Sequence, residues 1–71
     1  MLAHQKDYQA AVANYTKAIE LEEDFSEAYF NRALTYLLLN QRDKAINDLS
    51  KAGELGIYKA YSILKKIQNK E

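Results

Sequence analysis

The chain contains no cysteine, no proline and no tryptophan, and among its 71 residues there are only two glycines and one histidine. Without cysteine neither a disulfide framework nor a thiolate metal site is possible, and the redox compartment is left open. Without proline and with little glycine, the residues that punctuate sheets and long loops are missing, so composition favours helix. Neither charge predominates: ten Lys and Arg face ten Asp and Glu, and a neutral chain lacks the concentrated basic stripe that displaces counterions from nucleic acid. Long apolar runs are absent too. None exceeds the length of residues 36–39, far short of the roughly 20 residues that span a bilayer, and Met1-Leu2-Ala3-His4 has neither the basic start nor the apolar core of a secretory signal. No membrane partner is expected, and a cytoplasmic location is the default.

What remains is a chain that is 48% apolar and 28% charged, enough for one small domain that buries about 60% of the surface of its unfolded state. Its charges are unevenly placed. Residues 1–35 carry three basic side chains (Lys6, Lys17, Arg32) against six acidic ones (Asp7, Glu20, Glu22, Glu23, Asp24, Glu27). That half has a net charge of −3 and the other +3, a dipole suited to head-to-tail stacking or to an acidic partner near Lys65, Lys66 and Lys70.

Apolar residues recur at helical spacing in four stretches. The first, over 7–22 with Asp7 as N-cap, aligns Ala11, Val12, Tyr15, Ala18, Ile19 and Leu21; Leu2 to Gln5 read as the tail of an earlier helix. A second helix starts near Ser26, with Asp24 or Ser26 as its cap. It aligns Ala28, Tyr29, Ala33, Tyr36 and Leu37 and ends at Leu39 or Asn40, with Asn40 able to take the left-handed conformation that closes a helix. Gln41 and Arg42 leave room only for an antiparallel return. The third helix, over 42–55, carries Ala45, Ile46, Leu49, Ala52 and Leu55, and Gly56 with Ile57 predicts a Schellman ending. Inside it Gly53 costs about 1 kcal/mol relative to Ala, explicable by close approach of a neighbouring helix or by drift. The fourth, over 58–68, places Ala60, Tyr61, Leu64 and Ile67 on one face.

The chain also repeats itself. At an offset of 34 residues Ala11, Val12, Tyr15, Lys17, Ala18 and Leu21 align with Ala45, Ile46, Leu49, Lys51, Ala52 and Leu55; at 32, Ala28-Tyr29 aligns with Ala60-Tyr61. Such a period marks stacked helical hairpins. These residues resemble the tetratricopeptide repeat: Tyr29, Ala33 and Tyr36 occupy the aromatic, small and mid-helix tyrosine positions, and Ala45, Leu49 and Ala52 the family's Ala, bulky apolar and Ala. The match departs at Arg32, where the family has Leu, at Ala33, where it has Gly, and in the absent closing Pro. The segment GELGIYKA is similar to the related Sel1-like repeats. The resemblance implies an all-α fold of antiparallel hairpins in a right-handed superhelix. It contains about one and a half to two repeats: the second helix of a partial repeat (7–23), a complete repeat (26–57), and a helix (58–68) that caps the stack or begins another repeat.

Nothing in the sequence points to catalysis. His4 stands alone, and the carboxylate groups Asp43 with Asp48, and Glu20 with Glu22 and Glu23, fall on predicted polar faces, without the apolar surroundings that tune a catalytic acid. No phosphate loop, nucleophile elbow or zinc motif occurs, so no enzyme, cofactor or metal is expected. The resemblance implies instead a concave groove lined by the second and fourth helices, binding a peptide or helix of a partner protein. Its expected contacts are Glu27, Phe30, Asn31, Leu34, Leu37 and Leu38 on one helix and Lys59, Ser62 and Ile63 on the other. Phe30, Leu34 and Leu38, at i, i+4 and i+8, form a second apolar stripe that packs on this chain or another copy, or holds a ligand. YFNRA further resembles the segment with which carboxylate-clamp members hold acidic C-terminal tails of chaperones. Asn31 matches the clamp asparagine and Lys59 a later lysine, whereas Ile63 stands at the clamp arginine and the helix bearing the first clamp residues is missing. The alternative is architectural: a terminal segment of a longer solenoid that self-associates, as a homodimer through exposed repeat faces.

Overall fold

A computed structural model describes residues 5–69. It contains four helices, α1 (Gln5–Leu21), α2 (Ser26–Leu38), α3 (Arg42–Glu54) and α4 (Lys59–Asn69), and no strand among the described residues. Each packs mainly on its sequence neighbours, α1 on α2, α2 on α3 and α3 on α4, because connections of three or four residues leave no room for other pairings. The all-α hairpin architecture follows.

The helix starts differ from expectation. Gln5 opens α1, so Asp7 lies in its first turn, where a carboxylate meets the positive end of the helix dipole, and is not its N-cap. Residues 1–4, with His4, lie outside the described residues. At α2 the boundary residue is Phe25, whose side chain makes no capping bond; neither Asp24 nor Ser26 caps the helix. The turn is closed by backbone instead, the Phe25 N–H donating to the Glu22 carbonyl at 3.1 Å and the Ala28 N–H to the Phe25 carbonyl at 3.1 Å.

The helix ends behave as the sequence predicts. Asn40 has φ 65° and Gly56 φ 118°, each just past its helix. The Gln41 N–H donates to the Tyr36 carbonyl at 2.8 Å and the Ile57 N–H to the Ala52 carbonyl at 2.9 Å, the long bond of a Schellman ending in both cases.

The core is built from small residues. Ala28, Ala33, Ala45, Ala52 and Ala60 are buried with Leu49 and Leu64, which lets helix axes approach closely. Tyr29, Phe30, Ile46, Ile57, Ile63 and Ile67 pack around them. At Gly53 a Cβ would come within 2.5 to 2.9 Å of three Tyr61 ring atoms, so close approach of α4 accounts for this glycine. Tyr61, expected on the buried face, is 46% exposed because its ring rests over Gly53 at the surface. Leu21, expected in the α1 stripe, is likewise open to solvent.

Candidate functional site

Phe30 of α2 lies against the core, and the Lys59 ammonium of α4 sits 5.6 Å from the centre of its ring, within range of a cation–π attraction. Ile63, one turn further along α4, packs on the same core. Three residues expected on the groove thus come together from two helices. Leu34 and Leu37 are half-buried, Glu27 and Asn31 exposed, and Leu38 is 61% exposed. The second apolar stripe therefore divides: its Phe30 end is shared with the core and its Leu38 end is open. Ser62 of α4 is exposed as well.

A second cluster was not anticipated. The Arg32 guanidinium donates from Nε and Nη2 to the Asp48 carboxylate at 2.6 and 2.8 Å, and from Nη1 to the Thr16 hydroxyl at 3.0 Å. Thr16 in turn donates to the Val12 carbonyl at 2.8 Å. The Arg32 side chain also lies 5.6 and 5.8 Å from the ring centres of Tyr29 and Tyr36. One residue therefore ties α1, α2 and α3 together. The hydrogen bonding of the Arg32 guanidinium to the Asp48 carboxylate raises the Arg32 pKa, outweighing burial, which acts the other way.

Asp48 is buried, at 5% exposure, contrary to its expected place on a polar face; Asp43 is exposed. The signal was in the spacing: Asp48 falls three residues after Ala45 and four before Ala52, inside the apolar stripe. A carboxylate there requires a buried cation, and Arg32 on the facing stripe supplies it. Each Asp48 oxygen accepts a hydrogen bond, and no buried side-chain nitrogen or oxygen among the described residues lacks a partner. The cluster is suited to holding helices in register.

A family model described as "TPR repeat" matches residues 1–40, and one described as "Tetratricopeptide repeat" matches residues 26–55. The chain belongs to the tetratricopeptide repeat family. Its relatives in that family include the Hsp70-Hsp90 organizing protein of Triticum aestivum, 38% identical over 52 residues that make up 73% of this chain and 9% of the relative. Hsp70-Hsp90 organizing protein 3 of Arabidopsis thaliana is 40% identical over the same length and shares. Small glutamine-rich tetratricopeptide repeat-containing protein 2 of Mycosarcoma maydis is 41% identical over 61 residues, 83% of this chain and 17% of the relative. The chain thus spans less than a fifth of these relatives' length. No solved structure matches it significantly. Membership in the tetratricopeptide repeat family supports a protein–protein interaction module, in which α2 and α3 form the hairpin matched by the second model.

Proposed function

We propose that the α2–α4 face of this tetratricopeptide segment binds a short segment of a partner protein that presents apolar side chains followed by an acidic group. The observation that carries the proposal is the stripe itself: Leu38 is 61% exposed at the end of a line that begins at Phe30, under Lys59. Large apolar side chains left open beside a polar rim are the usual material of peptide recognition. Exposed Asn31 and Lys59 offer amide and ammonium donors to a carboxylate. Ile63, half-buried where a carboxylate clamp places arginine, makes the face more apolar than a clamp. Recognition therefore depends on apolar anchors, with the carboxylate as a supplement. The relatives named as organizing proteins for Hsp70 and Hsp90 make chaperone segments reasonable first ligands.

Two labelled probes test this by fluorescence anisotropy: an amphipathic helical peptide with acidic residues at its C-terminal end, and an unstructured acidic tail with a free carboxyl group. Leu38→Asp, at a side chain outside the core, is expected to weaken the first by about tenfold or more, the worth of one buried leucine, with helicity unchanged. Asn31→Ala should affect both probes alike. Binding of neither probe, or affinities indifferent to Leu38→Asp, would remove the stripe from the account.

A further inference from the structure

Helices α3 and α4 meet through residues with little or no side chain. Ala52 of α3 and Ala60 of α4 are fully buried in the same cluster. Beside them Gly53 receives the outer end of the Tyr61 ring, whose Cζ lies 2.5 Å from where a Cβ would stand. Between α1 and α2 the sequence leaves no such notch. At an offset of 34 residues Gly53 corresponds to Ile19, and Ala18 and Ala28 lie ten positions apart where Ala52 and Ala60 lie eight apart. Tyr29, which corresponds to Tyr61 at an offset of 32, lies against Arg32 instead.

A ring seated in a notch holds a helix in a way that a ring on a flat surface does not. Rolling α4 about its axis, or sliding it along α3, must lift Tyr61 out of the space that Gly53 leaves. Lys59 and Ile63 stand two residues before and two after Tyr61. At about 3.6 residues per turn both project from the side of α4 opposite Tyr61, one turn apart from each other. The roll that seats Tyr61 therefore also aims Lys59, whose ammonium lies 5.6 Å from the Phe30 ring centre, and Ile63, which packs on the core.

We infer that Tyr61, seated against Gly53, is the positioning residue for the Phe30 end of the groove: it fixes the roll of α4 at which the Lys59 ammonium stands over Phe30 and is presented to an acidic group of the bound segment. Recognition of that group rests on the α2–α4 face being the binding surface proposed above; the hold of Tyr61 on Lys59 does not. Preference for acidic over neutral segments is thereby set from the back of α4, by a residue that faces away from the ligand.

The experiment compares the 71-residue chain with four variants by two readouts. Tyr61→Ala removes the ring, Gly53→Ala closes the notch, Tyr61→Phe keeps both, and Lys59→Met removes the charge but keeps an unbranched stem. The first readout needs no ligand: by NMR the Lys59 Cε protons, close to a ring face, are shifted upfield by its ring current. Tyr61→Ala and Gly53→Ala should return them towards the position of a free lysine, and Tyr61→Phe should not. The second is fluorescence anisotropy with the amphipathic peptide acidic at its C-terminal end and with the same peptide carrying glutamine in place of the acidic residues. The wild type and Tyr61→Phe should favour the acidic peptide over the neutral one by about threefold more than Lys59→Met does, in the range of one exposed ion pair. Tyr61→Ala and Gly53→Ala should fall to the Lys59→Met ratio. A partly unfolded variant loses affinity for both peptides by the same factor, so the ratio separates positioning from loss of fold. Lys59 resonances that stay shifted in Tyr61→Ala, or an acidic preference that survives both Tyr61→Ala and Gly53→Ala, overturn the inference and leave the α2–α4 binding face standing. Binding of neither peptide by the wild-type chain overturns that face as the binding surface, and the acidic preference with it.

Discussion

Arg32 illustrates how one side chain can depart from its family's pattern and be accommodated by a partner on the facing helix. Its guanidinium forms a bidentate pair with buried Asp48 and a third bond to Thr16. Removing one member leaves the other charge uncompensated where water cannot fully reach it, and Asp48→Ala is expected to cost about 3 kcal/mol in urea unfolding. Arg32→Leu with Asp48→Leu, which puts back the apolar residue usual at the first of these positions, should cost much less than Asp48→Ala alone, because an apolar pair needs no partner. A double variant at least as unstable as the single one would mean that the pair sets register as well as satisfying charge. The sign of the Arg32 shift adds a constraint. A pKa raised in the fold makes its stabilisation complete at all pH values below the normal arginine pKa and lost only above the raised one, so Arg32 deprotonation contributes no pH dependence in the neutral range.

At the level of elements, the contact between α3 and α4 depends on a missing side chain. Gly53 weakens α3 by its conformational freedom, yet a Cβ there would meet the Tyr61 ring at 2.5 Å. Two opposed terms follow. Once Tyr61→Ala has cleared the space, Gly53→Ala should stabilise the protein by about 1 kcal/mol through helix propensity. With Tyr61 in place the gain should shrink or reverse, since the ring must leave its seat. A double-mutant cycle on thermal or urea unfolding measures the difference; additive effects would show that the ring moves away at no cost. The helix ends are more forgiving. Asn40 and Gly56 occupy equivalent left-handed positions, and the chemistry that allows this was visible in both residue types. The starts were not legible in the same way, because the Phe25 boundary is decided by backbone bonds in the 22–25 turn, and side-chain capping preferences do not report on those.

For the whole molecule, contacts run chiefly between consecutive helices, and no proline interrupts the chain. Low sequence separation between contacting elements makes folding fast, and without proline there is no X–Pro isomerisation to produce a phase of tens of seconds. Stopped-flow refolding at low protein concentration should therefore be a single phase, on the order of milliseconds or faster. A slower phase that grows with concentration would report association of copies, and one independent of concentration would contradict the local-contact picture.

The sequence by itself determined the helices, their order and the repeat. Periodic Ala, Tyr and Leu at 3.6-residue spacing encode a buried stripe wherever the neighbour comes from, and the 34-residue offset equates α1 with α3 without any coordinates. Tertiary structure alone decided how completely each stripe is covered and by what. The same pattern buries Ala52 and leaves Ala18 half open, because burial depends on the number of helices packed around a stripe. It also decided that Arg32 and Asp48, 16 residues apart, meet at 2.6 Å, that Phe30 lies beneath Lys59, and that Leu38 stays exposed. Periodicity assigns a residue to a face of its own helix, whereas partners across helices are set by the crossing geometry that small residues such as Ala33 and Ala45 permit.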